Sequence, residues 1–324
     1  MKPSFHHRMI NGPFEDPVVY IRLFWRKRAI LFDAGDIWDL PAREINKVSD
    51  LFVTHTHIDH FIGFDRLLRI LLRRDTPLNI FGPEGIRDAV EGKLRGYTWN
   101  LIEDYPVRLI VNEVRGGKIS VVEYRAGDGF RPSGREERTN NGVLLKDTHF
   151  TIKSITLTHD IPVLAFSIHE DFHININREK LLDMGLPVGP WLSGFKSAVR
   201  RGDRNWQTEI QGREYHLGEL ERLITRTRGQ KISYVVDISP TVENIEKVIP
   251  FVKDSDTLYI ETYFLERDRL RAMERNHLTA GIAGEIAREA NVKEMIPLHF
   301  SPKYGRSPEE VLSEAAEAFR APAG

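Results

Sequence analysis

The sequence predicts an α+β fold, with mixed sheets flanked by helices rather than a single doubly wound sheet. Three observations carry this. Runs rich in β-branched and aromatic residues dominate early, strand–helix alternation dominates late, and no repeat or Pro-, Gly- or Ser-rich linker divides the 324 residues. A chain of that length can bury a substantial core, as one large or two ordinary domains. With 41% hydrophobic and 29% charged residues, its composition is that of a soluble globular protein.

The elements follow in order. Strands are expected at Val18–Phe24, Ala29–Phe32 and Leu51–Thr54. A helix follows, in which Phe64, Leu67, Leu68, Leu71 and Leu72 share one face while Arg66, Arg69, Arg73 and Arg74 occupy the other. That arginine stripe reads as a solvated helix face rather than a binding surface. Further strands are expected at Leu78–Phe81, Ile119–Glu123, Phe150–Leu157, Val163–Ile168, Ile232–Val236, Thr257–Ile260 and Glu294–Leu298. Helices are expected at Glu84–Arg95, Asn244–Val252, Ala280–Ala290 and Pro308–Phe319. The stretch Glu170–Gln230 breaks the rhythm. It is polar, weak in strand content, basic at Lys196, Arg200, Arg201 and Arg204, and carries Gly185-Leu-Pro-Val-Gly-Pro-Trp191. A region of that length reads as an insertion with a job or a separate small module.

The formal net charge of −1 argues against a generally sticky polycation and leaves room for local basic patches. There is no cysteine, so disulfides are excluded and any metal must sit among nitrogen and oxygen ligands. No apolar stretch of signal-peptide length follows the first residues and no run approaches membrane-spanning length, so a cytoplasmic location is expected.

The residues that carry chemistry begin at His55-Thr-His57-Ile-Asp59-His60, where the buried-strand pattern Leu51–Thr54 ends. Ligand-type side chains at the carboxyl end of a strand lie on a sheet rim, where active-site crevices form. These four cannot all face one ion, but a tight turn can splay two histidines toward one metal and an Asp–His pair toward another. The competing reading is a polar loop with chance histidines. Two ions need more ligands, and further hydrophobic runs close on ligand residues: Thr156-Leu-Thr-His159, Tyr234-Val-Val-Asp237 and Ile296-Pro-Leu-His299. Taken singly, His159 and His299 read as structural histidines, and Asp237 as a helix cap. Together they complete a set of five histidines and two carboxylates suited to Zn²⁺, with Mn²⁺ as the alternative.

Here the chain resembles a known family. The 55–60 run matches the HxHxDH motif of the metallo-β-lactamase superfamily, and Phe32-Asp33-Ala-Gly35-Asp36 is similar to its first strand-turn. The later elements resemble ribonuclease Z, the tRNA 3′-end processing endonuclease. These are His159-Asp-Ile-Pro162, Val236-Asp237 with Ser239-Pro240-Thr241, and Ile260-Glu261-Thr-Tyr-Phe264. The segments Ala272-Met-Glu274-Arg-Asn-His277-Leu-Thr279 and Leu298-His299-Phe-Ser301-Pro-Lys303-Tyr304 complete them. The first motif is specific to the superfamily only, whereas the 272–279 segment discriminates the family within it.

The resemblance implies an αβ/βα four-layer sandwich over residues 1–324, with 170–230 as an inserted substrate-binding arm whose Gly185–Pro190 is similar to the family's Gly/Pro hinge. It implies two Zn²⁺ per chain: His55, His57 and His159 for one, Asp59, His60 and His299 for the other, and Asp237 bridging. It further implies cleavage of the 3′ trailer of precursor tRNA by a metal-activated hydroxide, oriented by Asp59. His277, positioned by Glu274, would handle the leaving group; Glu261 could equally support a metal-ligating histidine. Ser301, Lys303 and Tyr304, with Lys196, Arg200 and Arg201 in the arm, would contact phosphate. A homodimer is also implied. The alternative is hydrolysis of a small phosphodiester such as a cyclic nucleotide, or of another ester or lactone, on the same metals. The N-terminus departs from the family pattern. In place of a Gly-Thr-Gly loop it has Phe5-His6-His7-Arg8 and Asn11-Gly-Pro-Phe14, and His6 and His7 read as surface or loop residues.

Overall fold

The computed structural model describes residues 5–23, 27–305 and 308–322. The chain forms two compact units, one from Met1–Leu144, Ile152–Ser167 and Lys231–Gly324, the other from Leu145–Thr151 and Ile168–Gln230.

In the first unit an eight-stranded sheet sets Phe5–Met9, Val19–Leu23, Arg28–Phe32, Val48–Phe52, Leu78–Pro83, Arg108–Arg115, Lys118–Arg125 and Pro132–Thr139 side by side in chain order. Pairing is parallel from Arg28–Phe32 through Arg108–Arg115 and antiparallel at both ends. A six-stranded sheet runs in the order Met295–Leu298, Thr257–Glu261, Lys231–Val235, Pro162–Glu170, Phe150–Thr158, Val143–Lys146. Its first three strands are parallel. Parallel neighbours need crossovers, and the helices Val242–Val252 and Ala280–Glu289 supply them. Each starts on a threonine whose side chain accepts a backbone N–H: Thr241 from Asn244, Thr279 from Ile282. Because helices and a second sheet cover both faces, every residue of Lys231–Val235 and Thr257–Glu261 is buried.

The two sheets meet through aromatic rings. Phe32 lies 5.5 Å from Phe166 and 5.6 Å from Tyr234, and Phe52 lies 5.5 Å from Phe166. On the outer face of the first sheet, Phe64, Leu67, Leu68 and Leu71 of the helix Phe64–Leu71 enter the core beside Ile86, Val90 and Leu94. Each such side chain contributes about 1.5–3 kcal/mol by leaving water. Val248, Val252, Ile282 and Ile286 do the same over the second sheet. The result is helix, sheet, sheet, helix, the four-layer sandwich that the resemblance implies.

The second unit has its own core, built on Ile174, Leu181, Phe195, Ala198, Leu220 and Leu223. It holds the helices Arg178–Asp183 and Trp191–Arg201 and two strand pairs, Phe172–Ile176 with Ile224–Arg228 and Gln207–Ile210 with Arg213–His216. The expectation of weak strand content in Glu170–Gln230 fails here. These strands are four or five residues long and mostly polar, too short for alternation to register. Three strands of the first sheet, Arg108–Arg115 among them, and Val143–Lys146 of the second were also missed. Pro132–Thr139 is exposed throughout and charged, as befits an edge, and Phe5–Met9, expected as a loop carrying His6 and His7, pairs with Val19–Leu23. The expected strand Val18–Phe24 is Val19–Leu23, with Phe24 outside the described residues. Among the described residues no helix is long and apolar enough to cross a membrane.

Candidate metal centre

Three strands end on acidic or imidazole side chains in a left-handed backbone conformation. Asp33 follows Arg28–Phe32 with φ 56°, Asp237 follows Lys231–Val235 with φ 50°, and His299 follows Met295–Leu298 with φ 57°. Such conformations cost non-glycine residues of order 1–3 kcal/mol and persist where the surroundings over-determine them. At all three the chain turns off the sheet rim, where a crevice forms. The loop His55–His60 joins them from the end of Val48–Phe52. It lies directly on the Asp33–Gly35 turn: Ala34 N–H donates to the His60 carbonyl (2.9 Å) and Gly63 N–H to the Ala34 carbonyl (2.8 Å). Only glycine allows this approach. A Cβ on Gly35 would sit 2.4 Å from the Asp59 carbonyl oxygen, and one on Gly63 2.1 Å from that of Gly35.

The side chains converge on Asp237. One of its oxygens is 3.3 Å from His55 Nε2, 3.2 Å from His60 Nε2 and 3.9 Å from His159 Nε2; the other is 2.7 Å from His299 Nδ1. Asp59 Oδ2 stands 3.4 Å from His60 Nε2 and 3.3 Å from His299 Nε2. Ligand atoms of His57, His159 and Asp237 lie within 4.8 Å of one another, as do those of Asp59, His60 and His299. Yet His55 Nε2, His60 Nε2, His299 Nδ1 and Asp237 Oδ1 are buried without an aligned hydrogen bond. Buried polar atoms are normally bonded. Four orphaned nitrogen and oxygen atoms at one point fit a divalent metal centre.

The electrostatics agree. Burial opposes charge on Asp237, but His299 and His60 hold its carboxyl well below the usual carboxylate range. Burial likewise opposes protonation of His60 and His299, yet the Asp237 carboxylate lifts both well above the usual imidazole range. The Asp237 carboxylate is thus held ionised where it can meet a cation.

Groups behind the candidate ligands fix their rings. His60 Nδ1 donates to Asp33 (2.9 Å), whose carboxylate also accepts from Tyr234 O–H (2.8 Å) and Thr54 N–H (2.7 Å). His159 Nδ1 donates to the Asn276 carbonyl (2.7 Å). With Nδ1 occupied, Nε2 is the atom turned to the centre.

Beside the cluster, His277 Nδ1 donates to Glu261 Oε2 at 2.9 Å, and Tyr263 stacks on the imidazole at 3.9 Å with the rings 7° from parallel. Burial opposes charge on Glu261, but the adjacent His277 brings its pKa down to about 2. Its other oxygen accepts the Ile238 and Leu278 N–H groups, so the carboxylate is locked. The expected partner, Glu274, is exposed on the helix Arg269–Arg275. That helix ends at Asn276 with φ 60°, and the reversal carries His277 toward Glu261 instead. Glu261 closes the apolar strand Thr257–Glu261, the same signal that marked Asp237 and His299.

The cleft above the cluster encloses about 360 Å³, with Ser301, Tyr263, Arg271 and Arg275 joining the ligands in its lining. The other expected phosphate contacts are not brought there. Lys303 is bound to Asp268, and Tyr304 donates to Asp268 (2.6 Å) while accepting the Leu265 N–H (2.9 Å). In the second unit Arg200 is turned inward onto Glu170 (3.3 Å) and the Phe172 carbonyl, which removes it from solution; Lys196 is half-buried and Arg201 exposed. His7 Nδ1 meets the Tyr259 hydroxyl at 2.7 Å, and neither His6 nor His7 joins the ligand groups.

No protein-family model matches the chain. It is 25% identical over 295 residues to ribonuclease Z of Deinococcus radiodurans, covering 90% of this chain and 87% of that protein. Human tRNase Z, short form, is 20% identical with a TM-score of 0.54, covering 93% of both chains. The metallo-β-lactamase fold protein YhfI of Bacillus subtilis is 15% identical with a TM-score of 0.56, covering 99% of this chain and 95% of that one. The chain has the metallo-β-lactamase fold and, over 90% of its length, resembles ribonuclease Z.

Proposed function

We propose that this protein is a metal-dependent endonuclease that removes the 3′ trailer of precursor tRNA, acting in the cytoplasm with two Zn²⁺ per chain and Mn²⁺ as the alternative. The observation that carries the reading is the set of orphaned atoms of His55, His60, His299 and Asp237 in one cleft with the His277–Glu261 pair. The similarity to ribonuclease Z supplies the RNA. His55, His57 and His159 would hold one ion, Asp59, His60 and His299 the other, and Asp237 both. Such ions lower the pKa of a water and stabilise charge on phosphorus.

The chain's own groups do the rest. Asp59, on the cleft wall, orients the attacking water, whose proton is released to solvent. The new P–O bond forms as the bond to the 3′-oxygen breaks, leaving a 3′-hydroxyl on the tRNA and a 5′-phosphate on the trailer. His277 gives the departing oxygen its proton from Nε2, because Nδ1 is held by Glu261. The locked Glu261 carboxylate supports the protonated ring before transfer. The unit containing residues 168–230 serves as the tRNA-gripping arm through Lys196 and Arg201. The family likeness also supports a homodimer, which light scattering after gel filtration would register.

The test is a side-by-side assay of precursor tRNA and bis(p-nitrophenyl) phosphate with zinc and with manganese. Precursor tRNA should be cut at the trailer junction with kcat/KM at least about a hundredfold higher, as expected when remote contacts feed the transition state. Equal or reversed preference would overturn the tRNA assignment in favour of a small phosphodiester.

A further inference from the structure

The helix Arg269–Arg275 and the turn before it carry a divided set of cations. Arg267 pairs with Glu310, Arg269 with Glu266, and Lys303 with Asp268 beneath them. Arg271 and Arg275 are the exceptions. Both are exposed, both line the cleft beside His277, and among the described residues neither forms an ion pair. Arg271 lies over an aromatic neighbour, its guanidinium 5.9 Å from the centroid of the Phe264 ring.

Their spacing matters. Four residues apart on a helix, the two side chains leave the same face with Cβ atoms about 5–6 Å apart, so both can address one extended ligand. The helix is also fixed relative to the metal ligands. Its cap Asn276 accepts His159 Nδ1 at its carbonyl (2.7 Å) and Ser239 Oγ at its side chain (2.8 Å), and donates to Asp160 (2.6 Å). The arginines therefore sit at a set distance from the ligand cluster rather than on a loose loop. A competing role exists for Arg275 alone, since a cation in the last turn favours the helix dipole. It accounts neither for Arg271, a turn earlier, nor for both facing the cleft.

Two guanidinium groups without an ion-pair partner on one cleft wall attract a polyanion and suit the geometry of phosphate oxygens. We propose that Arg271 and Arg275 form a phosphate-binding wall that grips the backbone of the substrate strand next to the scissile phosphodiester. The inference rests on the phosphodiesterase reading above and adds the groups that favour a polyanionic strand over an isolated diester.

The experiment measures KM and kcat of the metal-loaded protein for precursor tRNA from about 50 to 300 mM salt, for the wild type, Arg271→Gln, Arg275→Gln, the double variant and the lysine counterparts. Each glutamine variant should raise KM several-fold, keep its metal, and lower the slope of log KM against log salt by about 0.7–1, the double variant by about twice that. Arg271→Lys and Arg275→Lys should restore most of the slope, because charge is retained. Slopes equal to that of the wild type in the glutamine variants would overturn the proposal while leaving the nuclease reading in place. If the wild type itself cuts no precursor tRNA, the nuclease reading fails, and the phosphate wall with it.

Discussion

The ligand cluster of the first unit and the Glu170–His173–Arg200 cluster of the second are both knots of buried ionisable side chains, but they are finished differently. In the second unit Glu170 accepts from Arg200 and His173 at 3.3 Å each and from the Gln230 backbone N–H, so the charges consume one another. In the first unit His55, His60, His299 and Asp237 approach closely yet leave four buried atoms without an aligned hydrogen bond. A completed knot is architecture; one with converging orphaned donors is built around something else. The burial is similar, so the difference lies in satisfaction and not in residue type.

The largest expected effect breaks the first knot. Asp237→Ala should strip the metal and lower phosphodiester hydrolysis about a thousandfold or more, read by elemental analysis and turnover together. His277→Ala should cost about 10²–10⁴-fold in cleavage with metal content unchanged. Loss of metal in that variant would make His277 a ligand. The paired carboxylates sharpen this: Glu261→Gln should lower turnover about tenfold or more, whereas Glu274→Gln should leave it within about twofold. A large loss at Glu274 alone would contradict the observed pairing. Asp33→Asn should weaken metal affinity about 10–100-fold, measured by chelator competition, because His60 would lose the carboxylate that sets its ring. The smallest effect on chemistry comes from the second knot. Arg200→Met strands the Glu170 charge and should lower stability by about 3 kcal/mol in urea unfolding, with the metal retained. Loss of metal there would mean the two knots are not independent.

The candidate ligands stood out in the sequence because they lie at or just beyond the ends of apolar strands, where a sheet presents side chains. Glu261 obeys the same rule, but Glu274 lies three residues before His277 on a helical pattern and reads as its nearer partner. The left-handed Asn276 breaks that inference, since one residue with φ 60° reverses the chain. Sequence does not show which of the expected phosphate contacts already have partners. Lys303, Tyr304 and Arg200 are polar or basic in sequence, yet Asp268 and Glu170 have already engaged them. Arg271 and Arg275 were not singled out, because nothing in a sequence distinguishes a paired arginine from an unpaired one. The second unit stood out as an insertion, but its strands did not, because they are too short and too polar for a period of two to show.

The most direct test of the account is elemental analysis of the purified, full-length protein after expression in metal-replete medium. Close to two transition-metal ions per chain are predicted, falling to near zero in Asp237→Ala. A wild-type stoichiometry near zero would contradict the metal centre, and with it the chemistry built on the orphaned atoms of His55, His60, His299 and Asp237.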